Sequence, residues 1–147
     1  MSTSFPTTAS ACDEMDKLTI VNPANLYDPS AHGYSVSVVA PTGGRVAYVS
    51  GQGGVDDNGA YSPEFAVQVK QAYANLGKVL DALDATPAQV AKLTVFVVDH
   101  DPSKLGVLTQ TVAEMFGKTL PAQTLVPVPK LAIEPMLFEV DAVVVLP

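Results

Sequence analysis

Ser62-Pro63-Glu64-Phe65-Ala66-Val67-Gln68-Val69-Lys70-Gln71-Ala72-Tyr73-Ala74-Asn75-Leu76-Gly77-Lys78-Val79-Leu80-Asp81-Ala82-Leu83 reads as one long helix. Phe65, Val69, Ala72, Tyr73, Leu76, Val79, Leu80 and Leu83 recur at three- and four-residue steps, which gathers them into a wide apolar stripe. The start is marked by a capping hydroxyl at Ser62, Pro63 in the first turn and an acid at Glu64. Thr86-Pro87-Ala88-Gln89 then has the pattern of a capping box opening one short turn. Lys92-Leu93-Thr94-Val95-Phe96-Val97-Val98 is apolar on both alternating faces, as a strand covered on both sides requires. A helix followed by such a strand needs a sheet to lie on.

The flanking sequence supplies it. Ser35–Ala40 and Arg45–Ser50 alternate as strands, and Pro41-Thr42-Gly43-Gly44 between them suits a tight reversal, which predicts a β-hairpin. In the loop from Gly51 to Gly59, Asn58-Gly59 is a turn dipeptide and Asp56 and Asp57 read as turn carboxylates; a calcium loop would need a bidentate Glu at its twelfth position. Asp101-Pro102 opens a second helix with the stripe Leu105, Leu108, Val112, Met115 and Phe116, stopped by Gly117. Pro121–Val128 is extended, with Pro127 confining it to an edge or an end of the sheet. Met136–Leu146 is the closing strand, with Glu139 and Asp141 on one face of its alternation. The expectation is an α+β domain: a mixed sheet with two helices on one face, because both stripes need the same apolar surface. The other face is apolar and has no third layer in the chain, so self-association is expected to cover it.

Composition narrows the function classes. The chain has 147 residues, near the size of one domain, and residues 17–147 read as a single unit. Apolar residues make up 48% and charged residues 16%, which excludes an intrinsically disordered chain. Eight Lys plus Arg against 15 Asp plus Glu give a net charge of −7, so nucleic acid is not expected as a partner. Cys12 is the only cysteine, which rules out an intrachain disulfide and a paired-Cys metal site; neither metal nor cofactor is expected. No run of apolar residues is long enough to span a membrane. Met1 to Asp16, rich in Ser and Thr and carrying Asp13, Glu14 and Asp16, lacks the basic and apolar regions of a secretory signal and reads as a flexible tail on a cytoplasmic protein. Asp99-His100-Asp101 reads as the loop closing a strand, with Asp101 capping the next helix, and His32 reads as an exposed loop histidine beside Tyr34.

Several short motifs then line up. Tyr34-Ser35, Val49-Ser50-Gly51-Gln52, Gln68-Val69-Lys70-Gln71 with Asn75-Leu76, Val95-Phe96-Val97 with Asp99, Pro121-Ala122, and Phe138-Glu139-Val140-Asp141-Ala142 resemble, in order and spacing, the RidA (YjgF) family over about residues 20 to 147. The resemblance implies a chorismate-mutase-like fold, a homotrimer and three small-molecule clefts between subunits. It also implies hydrolysis of short-lived enamines and imines, such as 2-aminoacrylate, to keto acids and ammonia. Glu139 matches the cleft carboxylate that orients or activates the attacking water, and its apolar flanks would supply the burial that a general base needs. Tyr34, Ser50 and Gly51 match cleft positions, the last through its backbone N–H, and Thr109 stands where the family often has Asn. The departure is Gln123, at the position where active deaminases carry an Arg that grips the substrate carboxylate. A neutral amide cannot hold a carboxylate as a planar guanidinium does. Two readings follow: a hydrolase of altered specificity, or a non-catalytic trimer that binds a metabolite or partner. Ribonuclease activity ranks last, given the charge and the single Arg45.

Overall fold

A computed structural model describes residues 17–147; the expected tail, residues 1–16, lies outside the described residues. In chain order the elements are β1 (Thr19–Val21), β2 (Ser37–Val39), β3 (Arg45–Gly53), α1 (Phe65–Ala82), β4 (Val90–Val98), α2 (Leu105–Phe116), β5 (Ala122–Val128) and β6 (Phe138–Leu146). The main sheet runs β3-β6-β4-β5: β6 is antiparallel to both neighbours, and β4 and β5 are parallel. This is the α+β, mixed-sheet architecture expected, with Pro127 on an edge strand.

The expected hairpin is not formed. β2 pairs instead with β1, and β3 pairs with β6. Alternation reports which face a residue takes, not which strand lies beside it. The competing partners are specific here. Ser37 Oγ donates to the Val21 carbonyl (2.8 Å), and Asn22 Oδ1 accepts the Val36 N–H (2.8 Å), which holds β2 to β1. The nine residues of β3 find a nine-residue partner in β6.

One face of the sheet carries the core. Leu93, Val95 and Val97 of β4 and Phe138, Val140 and Val144 of β6 are all at most 1% exposed, against Val69, Leu76 and Leu80 of α1 and Val112 of α2. On the opposite face the cover is missing: Tyr48 is 82% and Val46 48% exposed, beside half-buried Val143 and Phe96. This is the face for which the sequence suggests a cover from outside the chain.

Local signals were read with mixed accuracy. Thr86 N–H donates to Gln89 Oε1 (2.9 Å), as the capping-box pattern requires, and opens a short 3-10 turn. Asp101 accepts the Ser103 N–H (2.8 Å), and hydrogen bonds from Ser103 hold its carboxyl below the usual range. Ser62, however, does not cap α1: it accepts the Glu64 N–H (3.1 Å), and the helix begins at Phe65 after an extended Glu64. The first turn of the helix is also closely packed. A Cβ on Gly54 would lie 2.6 Å from the Cα and carbonyl oxygen of Gln68, so the backbone leaving β3 presses against the first turn of α1.

Tyr73 stacks on Phe138 (centroids 5.8 Å) and meets Phe116 edge-on (6.5 Å), yet its buried hydroxyl has no hydrogen-bond partner among the described residues. Tyr73→Phe keeps the ring and removes the orphaned group. We expect it to leave stability unchanged or raise it by about 1 kcal/mol, read as a melting temperature no lower than that of the parent chain.

Candidate functional site

Tyr34 is held from both sides. A 3-10 turn at Ser30–His32 ends at Gly33, whose φ of 83° is a glycine conformation. There Thr109 of α2 donates its hydroxyl to the His32 carbonyl (3.2 Å). On the other side Ser35 bridges Ala122 in parallel, its N–H donating to the Pro121 carbonyl (2.9 Å) and its hydroxyl to the Leu120 carbonyl (2.6 Å). The chain around Tyr34 is thereby clamped between α2 and the start of β5. A cavity of about 510 Å³ opens there, lined by Tyr34, Thr109, Gln123, Leu105, Tyr27 and His32 among others. Gln123 Oε1 is buried without a hydrogen-bond partner among the described residues, and the Tyr27 and His32 rings lie 5.7 Å apart. The sequence gives Leu105 only as part of the α2 stripe and Tyr27 no role at all; the loop and α2 bring them together at the cavity.

Ser50, Gly51 and Glu139 form a second group. β3 pairs Val49 with Ala142 and Gln52 with Val140, so Ser50 and Gly51 together stand opposite Asp141. This β-bulge bends the strand beside β6, as bulges near functional sites do. A Cβ on Gly51 would overlap the Glu139 carboxylate, so only glycine lets that side chain lie over the backbone of the bulge. The two acids of β6 differ in occupation. Asp141 Oδ1 accepts the Thr94 N–H (3.2 Å), whereas no described residue donates to Glu139. Glu139 is half-buried on the open face, with its acceptor capacity unused.

The six expected residues therefore make two triads. Tyr34, Thr109 and Gln123 sit at the β5 edge; Ser50, Gly51 and Glu139 sit at the β3–β6 edge. Across the sheet β3 lies about 14 Å and β6 about 10 Å from β5, and the two triads line no common cavity among the described residues. Asp99-His100-Asp101 is a loop, as expected: Asp99 takes a positive φ of 49° and Asp101 caps the turn that follows, while His100 Nδ1 is buried with no partner among the described residues.

The sequence model of the family described as Endoribonuclease L-PSP matches residues 26–146. The chain belongs to the Rid (YjgF/UK114) family. Among solved structures, this Rid protein is similar to YyfB of Yersinia pestis, a protein of the conserved Rid family described as of unknown function. The two are 31% identical with a TM-score of 0.83, over 88% of this chain and 99% of that one. It is also similar to Rv2704 of Mycobacterium tuberculosis, a member of the YjgF/YER057c/UK114 family: 27% identity, TM-score 0.59, 88% and 99% of the two chains. A third is protein YjgH, at 28% identity, TM-score 0.63, and 90% and 98% coverage. No curated protein matches the Rid chain by sequence. No helix among its described residues is long and apolar enough to cross a membrane.

Proposed function

We propose that this Rid protein assembles as a homotrimer and that each cleft between subunits binds a small imine or carbonyl compound lacking a strong negative charge. Glu139 would direct a water at its electrophilic carbon. The observation that supports this reading is the division of the site: one triad lies at the β5 edge and the other on β3 and β6, with an uncovered apolar face between them. Contact between copies brings the β5 edge of one to the β3–β6 edge of the next.

The chemistry balances with the residues present. Glu139, free of other hydrogen bonds, takes a proton from water as oxygen attacks the imine carbon. Proton return to nitrogen and cleavage of the C–N bond of the carbinolamine release ammonia and leave the carbonyl product. The Gln123 amide and the Tyr34 hydroxyl orient the substrate, and the unpartnered Gln123 Oε1 suits a ligand that donates a hydrogen bond. Where relatives with deaminase activity have a guanidinium, this chain has no charge to pair with a carboxylate. Gln123→Arg is accordingly expected to raise kcat/KM toward carboxylate-bearing imines by about tenfold or more, since charge-assisted bonds contribute about 1.5–3 kcal/mol. An unchanged value would overturn the assignment of Gln123.

The same amide favours a second reading, in which the trimer binds a metabolite without turning it over. Ammonia release from freshly generated imines, followed beside a thermal-shift panel, separates the two: a saturable shift without ammonia selects binding. RNA cleavage, suggested by the family's description, finds little support in a chain of net charge −7 whose single Arg45 directs its Nε to the Pro147 carbonyl (3.4 Å).

A further inference from the structure

The cavity at the β5 edge is larger than the reacting end of a small imine requires. Its volume of about 510 Å³ falls in the range of about 300–1,000 Å³ of pockets that enclose a whole ligand, whereas an apolar cavity of about 150 Å³ already takes a benzene ring. The apolar lining is graded in exposure. Leu108 is 5% exposed, Tyr34 and Leu125 are half-buried, and Leu105 at 44% and Tyr27 at 68% stand open to solvent. The lining thus runs from a covered inner wall to an open outer one, and a ligand with an apolar body would cover both. No Asp, Glu, Lys or Arg lines the cavity. Lys92 donates to the Thr124 hydroxyl (2.6 Å) but is not itself a lining residue.

The outer wall is held in place. Asp28 Oδ1 accepts the Ser30 N–H (3.0 Å), the His32 N–H donates to the Pro29 carbonyl (2.8 Å), and Gly33 closes the turn with its positive φ. A Cβ on Gly33 would lie 3.5 Å from the Thr109 backbone and the Val112 side chain, so the turn rests directly on α2. Thr109 gives its hydroxyl proton to the His32 carbonyl (3.2 Å) and so anchors this turn rather than offering that proton to a ligand. The Tyr27 ring leans on His32 at a tilt of 35° and keeps most of its surface free. A wall fixed in advance has little ordering left to lose when a ligand arrives.

From the volume, the lining without Asp, Glu, Lys or Arg and the anchored Tyr27 beside Leu105, we infer that the ligand of this cleft carries an aromatic or branched apolar group and that Tyr27 and Leu105 select it. The inference rests on the cleft reading for the reacting end, which stays at Gln123 and Tyr34. The apolar group lies along Tyr27, Leu105, Leu108 and Leu125. A ligand without such a group leaves these walls wet and gains nothing from them.

Stable neutral carbonyl compounds test this without turnover. Acetamide, isobutyramide and benzamide share one head and differ in apolar body, and benzoate replaces the head by a charge. In NMR titrations of the full chain, benzamide is expected to bind at least about tenfold more tightly than acetamide, with isobutyramide between them and shifts at the cavity residues. Tyr27→Ala and Leu105→Ala should each cut that ratio to about threefold or less, and Tyr27→Phe should keep it. Both side chains are exposed, so the fold does not depend on them. Equal affinities for the three amides, or a ratio that survives loss of both side chains in one protein, would overturn the inference and leave the cleft reading standing. Absence of amide binding at these residues, as when a neighbouring copy fills the cavity, would remove both. If the amide ranking holds and benzoate binds more tightly still, the inference stands and the uncharged grip of the cleft reading falls.

Discussion

The Glu139→Ala protein is expected to release ammonia from imines at least about a hundredfold more slowly than the parent chain, with its melting temperature and assembly unchanged. The side chain lies over Gly51 on the open face and takes no hydrogen bond from any described residue, so its removal strands no donor. Asp141, two residues on, supplies the control: its carboxylate holds the Thr94 N–H, so Asp141→Ala should lower stability more than it lowers turnover. A sharper form uses two variants, each altered in one triad and each expected to be slower than the parent chain. If each cleft takes Glu139 from one copy and Gln123 from its neighbour, mixing Glu139→Ala with Gln123→Ala under conditions that exchange subunits regenerates some intact clefts, and part of the activity returns. Equal ammonia release by parent and Glu139→Ala would remove the carboxylate from the mechanism. Failure of the mixture to recover would place both triads' work within one chain, against the sheet geometry.

The second large effect concerns stability. Gln68 is fully buried and uses its whole amide: Nε2 donates to the Ser62 and Pro135 carbonyls (each 2.7 Å), and Oε1 accepts the Leu137 N–H (2.8 Å). It ties the approach to α1 to the segment that leads into β6 and thus to Glu139. Gln68→Leu fills similar volume but leaves three backbone groups unpaired, at about 1–3 kcal/mol each where they are out of water. The expected net loss is about 3–5 kcal/mol, or a fall of roughly 10–15 °C in Tm. Gln110→Leu, which loses one exposed bond to Glu114, should stay within about 0.5 kcal/mol. A Gln68→Leu protein as stable as the parent would show that water replaces the amide at all three groups.

What the sequence disclosed follows the range of each interaction. The α1 stripe, the capping box at Thr86, the Asp101 cap and the edge placement of Pro127 are local, decided within a few residues, and all were legible. The pairing of β2 with β1 was not, because it turns on Asn22 and Ser37 reaching across a loop, which alternation does not record. The start of α1 lies beyond Ser62, whose hydroxyl takes the Glu64 N–H while Glu64 stays extended, a backbone choice that residue type alone does not record. At the candidate site, the resemblance named Tyr34, Ser50, Gly51, Thr109, Gln123 and Glu139 but not their division. That division arises from strand order, and neither the bulge at Ser50-Gly51 nor the walls contributed by Tyr27 and Leu105 have a signature in one dimension.

The placement of the two triads bears on how such a protein can change its diet. In the proposed cleft, substitutions along β5 would change what is held while the acid on β6, two strands away, and the bulge on β3, three strands away, go untouched. Holding the ligand and activating water there would therefore be separable, the first altered at Gln123 and the second left to Glu139.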